Sequence, residues 1–379
     1  MELSESISGA GDDPIVVFGG GFAGLAAAYA LARRVPEREI LTVSGQAECV
    51  YRPSLPRVAL RRRTLPQLRV DVGSALARRG VRFRCARVVG IDPAQRVLRT
   101  DGGPVRYAVL VAACGSEIAF DEVPGLARWG HVLCEADRIV RLREDIDSFR
   151  GGTVVVALSR ENPYEIVDLG FVAELSDHLE RRGLRDKSRI LYLTPHGDVV
   201  PFLGARARGV IRGALLEHGV EIVPGAEVAA VEPGAVRLAD GSRVASALTV
   251  LFPPYRGRAC LRHPGLTNGR GFLLVDERLR SPTFPEVYGA GDCVSGDGSK
   301  SGRRAVAQAK AVAQEIAGRD SVADDRQPPL AAIVELGSRR AAYVRSRGPG
   351  AEERILAGAL PSFLKTALEQ WFLLRRGDI

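Results

Sequence analysis

The hydrophobic pattern sorts the chain into alternating strands and helices. Pro14 to Phe18 is a short apolar run rich in β-branched residues, which predicts a strand buried on both faces. Three glycines follow at once, and Leu25 to Arg34 is an alanine- and leucine-rich stretch of strong helix propensity. Glu39 to Val43 completes a strand–helix–strand unit. Val97 to Thr100 and Val105 to Ala112 flank Asp101-Gly102-Gly103, a hairpin signal leading into a buried strand. The pattern then repeats, with a strand at Thr153 to Leu158, a helix at Tyr164 to Arg182, a strand at Ile190 to Thr194 and a helix at Gly204 to His218. Hairpin-like segments turning at Asp240-Gly241 lead to Phe252. Val287 to Asp292 reads as a strand and tight turn, and Ser301 to Gly318 as an alanine-rich helix. Asp320 to Pro329 is polar and proline-containing, a linker to a smaller third element. Alternation of this kind predicts a doubly wound α/β architecture, used twice.

Composition narrows the picture. At 379 residues and 46% apolar, the chain is expected to fold as two or three lobes with sizeable cores. The net charge is +8, but bases are interspersed with acids and no basic stripe is interleaved with aromatics, so no nucleic-acid partner is expected. Residues 1–13 carry acids and small polar groups rather than a secretory signal, and no apolar run is long enough to span a bilayer. Six cysteines form no C-x-x-C and there are five histidines, so no metal site is expected and the reading is cytoplasmic with reduced thiols.

Gly19-x-Gly21-x-x-Gly24 stands between a predicted buried strand and a helix, the context in which such glycines receive a dinucleotide. Gly19 permits the tight turn, Gly21 lets a diphosphate approach backbone N–H groups, and Gly24 lets helix pack on strand. Phe22 and Ala23 open the helix at the same place. The acid that ordinarily binds the adenosine ribose is replaced by Ser44-Gly45, which leaves Ser44, or Glu48 in the next loop, for that end of the cofactor. Downstream, Tyr288-Gly289-Ala290-Gly291-Asp292 resembles the distal FAD motif of pyridine-nucleotide-disulfide-oxidoreductase-like flavoproteins, which implies that Gly291 and Asp292 meet the ribityl chain. The pair of motifs, in this order, points to FAD.

The likeness extends along nearly the whole chain. Gly151 to Val156 with Asn162-Pro163-Tyr164-Glu165, Phe252-Pro253-Pro254, Pro264 to Asn268, Lys300-Ser301-Gly302 with Gln308, and Leu364 to Glu369 with Trp371-Phe372-Leu373 resemble segments of sulfide:quinone oxidoreductase and flavocytochrome c sulfide dehydrogenase. The resemblance implies two Rossmann-like dinucleotide-binding domains of the three-layer ββα type plus a small C-terminal α+β region. The FAD-binding domain would comprise residues 1–115 and 256–320, the second Rossmann-like domain 116–255, and the C-terminal region with its amphipathic helix 321–379.

Two features set the chain apart from that family. Its sulfide chemistry needs a pair of cysteines, because a thiolate is the required nucleophile. Here their places read Ser159-Arg160-Glu161-Asn162 and, within Ala331 to Glu335, Val334. The related type II NADH dehydrogenases need a second glycine fingerprint after Leu158, and Ser159 to Pro163 has no glycine. The expectation is therefore an FAD-dependent oxidoreductase that oxidises a small organic or sulfur-containing substrate and passes electrons to quinone, dioxygen or a protein. The alternatives are an NAD(P)H:quinone oxidoreductase and a flavin-stabilised binding protein without turnover.

The resemblance also nominates individual residues. Cys134 matches a cysteine linked covalently to the flavin in some members, the alternative being an ordinary buried thiol. Lys300 is expected to face the flavin N1–C2=O edge, where positive charge favours the reduced anion, or else to be a solvated loop lysine. Glu165 is placed near the reaction chamber as a proton shuttle, and Arg160 as a partner for an anionic substrate group. Leu360 to Leu374 carries Phe363, Leu364, Ala367, Leu368, Trp371 and Phe372 at helical spacing, with Lys365, Glu369, Arg375 and Arg376 elsewhere. That stripe suits docking on the protein's own core or a homodimer, with quinone-admitting peripheral contact on the inner face of a membrane as the other reading.

Overall fold

A computed structural model describes residues 13–162, 165–296, 300–319, 329–346 and 353–378, with backbone alone for 165–168. Its centre is a five-stranded parallel sheet in the order Arg82–Cys85, Ile40–Ser44, Ile15–Phe18, Val109–Ala112, Val287–Gly289. Ile15–Phe18 and Ile40–Ser44 are buried throughout, as continuous β-branched runs in a covered parallel sheet should be. The helices Phe22–Arg34 and Gly302–Ile316 pack together on one face. A three-stranded antiparallel sheet, Val88–Asp92, Val97–Thr100 and Gly103–Arg106, covers the other. The last strand comes from far along the chain, so the lobe is closed only by the segment that returns after the second lobe.

The run Val105 to Ala112 is not one strand. Gly103–Arg106 completes the antiparallel sheet, Tyr107-Ala108 turns the chain, and Val109–Ala112 enters the parallel sheet. Val105 is the one buried residue of the first piece, whereas Leu110, Val111 and Ala112 of the second are all buried, and the alternating and the continuous pattern meet with no glycine or proline between them.

The second lobe repeats the plan. Its parallel sheet runs Val220–Pro224, Ser188–Thr194, Gly152–Leu158, Leu248–Phe252, flanked by helices Glu165–Arg181 and Ala205–Glu217 and by an antiparallel sheet from Val228 to Ala245. The two crossings between lobes, Ser116–Ile118 and Tyr255–Gly257, pair with each other, and Arg256 bridges Glu117 and Asp121. The C-terminal region is an antiparallel sheet of Leu330–Gly337, Arg340–Ser346 and Arg354–Gly358, followed by the helix Ala359–Leu374. Among the described residues no helix is long and apolar enough to cross a membrane.

Candidate active site

The first fingerprint lies where the strand Ile15–Phe18 hands over to the helix Phe22–Arg34. Gly19 has φ of 129°, and a Cβ there would lie 2.3 Å from the Ala113 carbonyl oxygen, so only glycine makes this turn. A Cβ on Gly24 would lie 1.8 Å from the Gly19 carbonyl oxygen, so glycine again is needed for the helix to close onto the turn. Gly21 is different: an added Cβ meets nothing within 4 Å. The fold does not require glycine there, but a diphosphate approaching the backbone does. The helix starts with no side-chain cap and no acid in its first turn, which leaves its leading N–H groups for an outside acceptor. These residues fit a dinucleotide diphosphate.

The distal motif meets the same helix. Gly291 has φ of 79°, and its missing Cβ would sit 3.0 Å from the Cβ of Ala23. The Gly291 N–H donates to the buried Gln308 Oε1 at 2.9 Å, which fixes the turn carrying Asp292. Lys300 was expected to face the flavin edge. Its Nζ donates at 2.8 Å to both the Asp292 and the Val294 carbonyls and lies 4.4 Å from the Phe272 ring centroid. Burial lowers its pKa, while Asp292 works against that shift. The ammonium clamps the distal turn, with one of its three protons left over.

Ser44 ends its strand beside Gly20, and its hydroxyl is occupied locally, donating to the Gln46 carbonyl at 3.0 Å and accepting from the Gln46 N–H at 3.2 Å. Glu48 is drawn to Arg69 at 2.9 Å. Cys134 is half-buried against the core of the second lobe. Arg160 is exposed, bonded to Glu227 at 3.3 Å and to the Pro195 carbonyl at 3.2 Å. Glu165 begins its helix, and its side chain lies outside the described residues. Val334 is enclosed in the main core, and Ser159 is buried with its hydroxyl lacking a hydrogen-bond partner. Cys49 is a core thiol that burial pushes up to about 12.

The sequence reading missed what holds the third region on the first. Phe372 stacks on Phe22 at 4.6 Å between ring centroids, and Tyr51 completes the cluster. Fully buried Glu369 accepts from Arg63 at 2.7 Å, from Arg57 at 3.3 Å and from Ser54, and Arg57 also donates to buried Glu335 at 3.0 Å. Burial pushes the Glu369 pKa up, but the bonds from Ser54 and Arg63 outweigh it and the carboxylate is held below its ordinary range. Of the readings of the C-terminal helix, docking of its apolar stripe on the protein's own core is the one that the structure does not bear out, Phe372 apart. Pro361, Glu369 and Phe372 face in, while Leu360, Phe363, Leu364, Leu368, Trp371 and Leu374 are exposed. The nearest sequence signal was Glu369 itself, an acid inside an apolar helix, but its basic partners lie some three hundred residues earlier.

Comparison with known proteins decides the family. The sequence matches the pyridine nucleotide-disulphide oxidoreductase family over residues 13–314. The chain belongs to that family. An NADH dehydrogenase-like protein of Mycobacterium tuberculosis is 33% identical over 292 residues, 73% of this chain and 72% of the relative. Sulfide-quinone reductase of Aquifex aeolicus is 23% identical over 404 residues, 96% and 92% of the two chains. Among solved structures, the sulfide:quinone oxidoreductase of the same bacterium superposes with TM-score 0.88 at 21% identity, covering 97% of this chain and 92% of that one. NDH2 from Plasmodium falciparum in complex with NADH superposes at 0.77 with 11% identity, covering 97% and 96%. This member of the pyridine nucleotide-disulphide oxidoreductases is an FAD-dependent oxidoreductase of the sulfide:quinone oxidoreductase and NADH dehydrogenase-like type.

Proposed function

We propose that this flavoprotein oxidises a small organic or sulfur-containing substrate directly at FAD and passes the electrons to quinone, dioxygen or a protein acceptor. The observation that carries the proposal is an intact first fingerprint beside two altered sites. Ser159 and Val334 occupy the places where the sulfide-oxidising relatives are expected to carry thiols. The remaining cysteines lie at other places: Cys49 is buried in the main core, Cys293 is buried in the FAD lobe in hydrogen-bond contact with Cys114 and close to Cys260, Cys85 is exposed, and Cys134 packs on the second lobe. The sulfide-oxidising relatives' disulfide relay therefore has no thiol at either of its own two positions here.

FAD, when bound, supplies the two-electron acceptor. The chain's part is to seat and bias it. Gly19, Gly21, Phe22, Ala23 and Gly24 would receive the diphosphate, with Ser44 bordering the adenosine end. Gly291 and Asp292 would hold the ribityl chain on a turn that Lys300 fixes from beneath. The charge of Lys300 with the N-terminus of the helix Gly302–Ile316 stabilises negative charge nearby. Glu165 is the candidate proton carrier at the mouth of the second lobe and Arg160 the candidate anion partner, available when it leaves Glu227. Cys134 is the candidate point of covalent attachment.

A second reading, electron entry from NAD(P)H, is favoured by the relatives named for NADH. Against it, the crevice at the carboxyl ends of the second parallel sheet, where a nucleotide would lie, is edged by Ser159-Arg160-Glu161 and the Arg160–Glu227 pair rather than by glycines. Anaerobic mixing separates the readings. NADH and NADPH are expected to leave the visible flavin absorbance intact while dithionite removes it, and alkylating the thiols is expected to leave reduction by a productive donor unchanged. Rapid bleaching by NADH would transfer the assignment to the second reading. Flavin that dithionite cannot reduce would favour a binding protein without turnover. The exposed apolar face of the C-terminal helix is proposed as the peripheral membrane contact that admits quinone, with a homodimer as the other use of that face.

A further inference from the structure

We propose that the junction of the three regions is a second ligand site, distinct from the flavin site, that takes a small organic phosphomonoester. A cavity of about 820 Å³ opens where the loop Leu60–Arg62 of the first lobe, the end of the helix Glu165–Arg181 and the hairpin turn Ser338-Arg339 meet. Its volume is in the range of small-molecule sites.

The wall is cationic in a specific way. Arg61 and Arg62 are held in place by Asp147 and Glu174, each at 2.5 Å. Arg181 and Arg339 have no ion pair or hydrogen bond from their guanidiniums among the described residues. The acids on the cavity are Asp177 and Glu180. Asp177 is already committed, accepting from the Ser338 N–H at 2.5 Å and lying 3.4 Å from His218 Nδ1. Glu180 is on the exposed rim. Two guanidiniums without carboxylate partners match the two charges of a phosphomonoester, and their forked donors match its oxygens.

Two further observations point the same way. His178 is nine-tenths buried on the cavity wall, and its Nε2 is enclosed without a hydrogen-bond partner. A buried polar atom unpaired within the protein is one that a water or a ligand oxygen reaching the wall would satisfy. The hairpin turn has Ser338 at φ 49° and Arg339 at φ 61°, conformations that a two-residue turn ordinarily gives to Asn-Gly. Here a serine and an arginine occupy them, with buried Asp177 gripping the Ser338 N–H, and the result is that Arg339 lines the cavity. Because the site touches all three regions, its occupant would tie them together.

The test is a titration of the FAD-loaded protein followed by nitrogen-15 NMR of its five histidine side chains, with the His178 signal assigned by His178→Gln. The probes are sn-glycerol 3-phosphate, inorganic phosphate and citrate at matched ionic strength. The proposal expects sn-glycerol 3-phosphate to move the His178 signal to saturation at lower concentration than inorganic phosphate. It expects the double variant Arg181→Ala/Arg339→Ala, both exposed positions, to weaken that binding about tenfold or more while flavin absorbance is kept. A static His178 signal, an unchanged affinity in the double variant, equal affinity for inorganic phosphate, or a response to citrate alone would each overturn it.

Discussion

Gly24 and Gly21 differ only in what surrounds an absent methyl group, and that difference separates folding from ligand binding. Gly24→Ala forces a carbon onto the Gly19 carbonyl, so it is expected to destabilise the protein by about 3 kcal/mol or more, read as a lowered denaturant midpoint. His131 gives a second residue-scale expectation. It is buried 2.8 Å from Asp145, and burial, helped by Arg141 and Arg138 against the pull of Asp145, lowers its pKa from 6.5 to about 4. The folded state therefore binds fewer protons than the unfolded chain across that window. Stability from this group is complete above pH 6.5 and is lost as pH falls toward about 4. A melting temperature that declines from pH 7 to pH 5, with a flatter decline in His131→Gln, is the expected outcome, worth on the order of 1–3 kcal/mol. A profile unaffected by the substitution would remove His131 from the account.

At the scale of elements, the strands, helices and first fingerprint were readable because each depends on a local pattern: buried β-branched runs, alanine-rich helices, glycines at a turn. The split of Val105 to Ala112 was missed, since no glycine or proline separates the half-exposed Val105-Arg106 from the buried Val109–Ala112. The burial of Glu369 on the inner face of the C-terminal helix was not readable either, because the arginines that receive it are brought there only by the fold of the first lobe. Likewise the sequence could not show that Lys300 donates to the Asp292 and Val294 carbonyls, since those bonds depend on how the distal turn folds. Removing the Glu369 carboxylate strands Arg57 and Arg63. Glu369→Gln is expected to cost about 3–5 kcal/mol at the docking surface, seen as faster amide hydrogen exchange across Ala359–Leu374 while the helix Phe22–Arg34 stays protected. Unchanged exchange would mean that Phe372 and its aromatic neighbours hold the helix alone.

At the scale of the molecule, two lobes built on one plan are joined by paired crossings, and the third region is fastened to the first by a buried carboxylate and an aromatic stack. That arrangement leaves an apolar helix face outward, more than a scatter of single exposed residues. Flotation with lipid vesicles is expected for the intact protein and is expected to fail for Phe363→Ser/Trp371→Ser, whose flavin content is unaltered. Concentration-dependent dimerisation without flotation would give the face to a second copy instead. The account as a whole depends on a dinucleotide seated at the opening of the first helix, and Gly21→Ala tests this most directly, since the added methyl touches nothing in the protein itself. Visible spectra and melting curves of the two purified proteins are the measurement. The account predicts a yellow wild type carrying one FAD per chain, and a variant that melts like the FAD-free wild type yet stays colourless. A wild type that remains colourless after incubation with excess FAD, or a variant that binds FAD as tightly as the wild type, would contradict it.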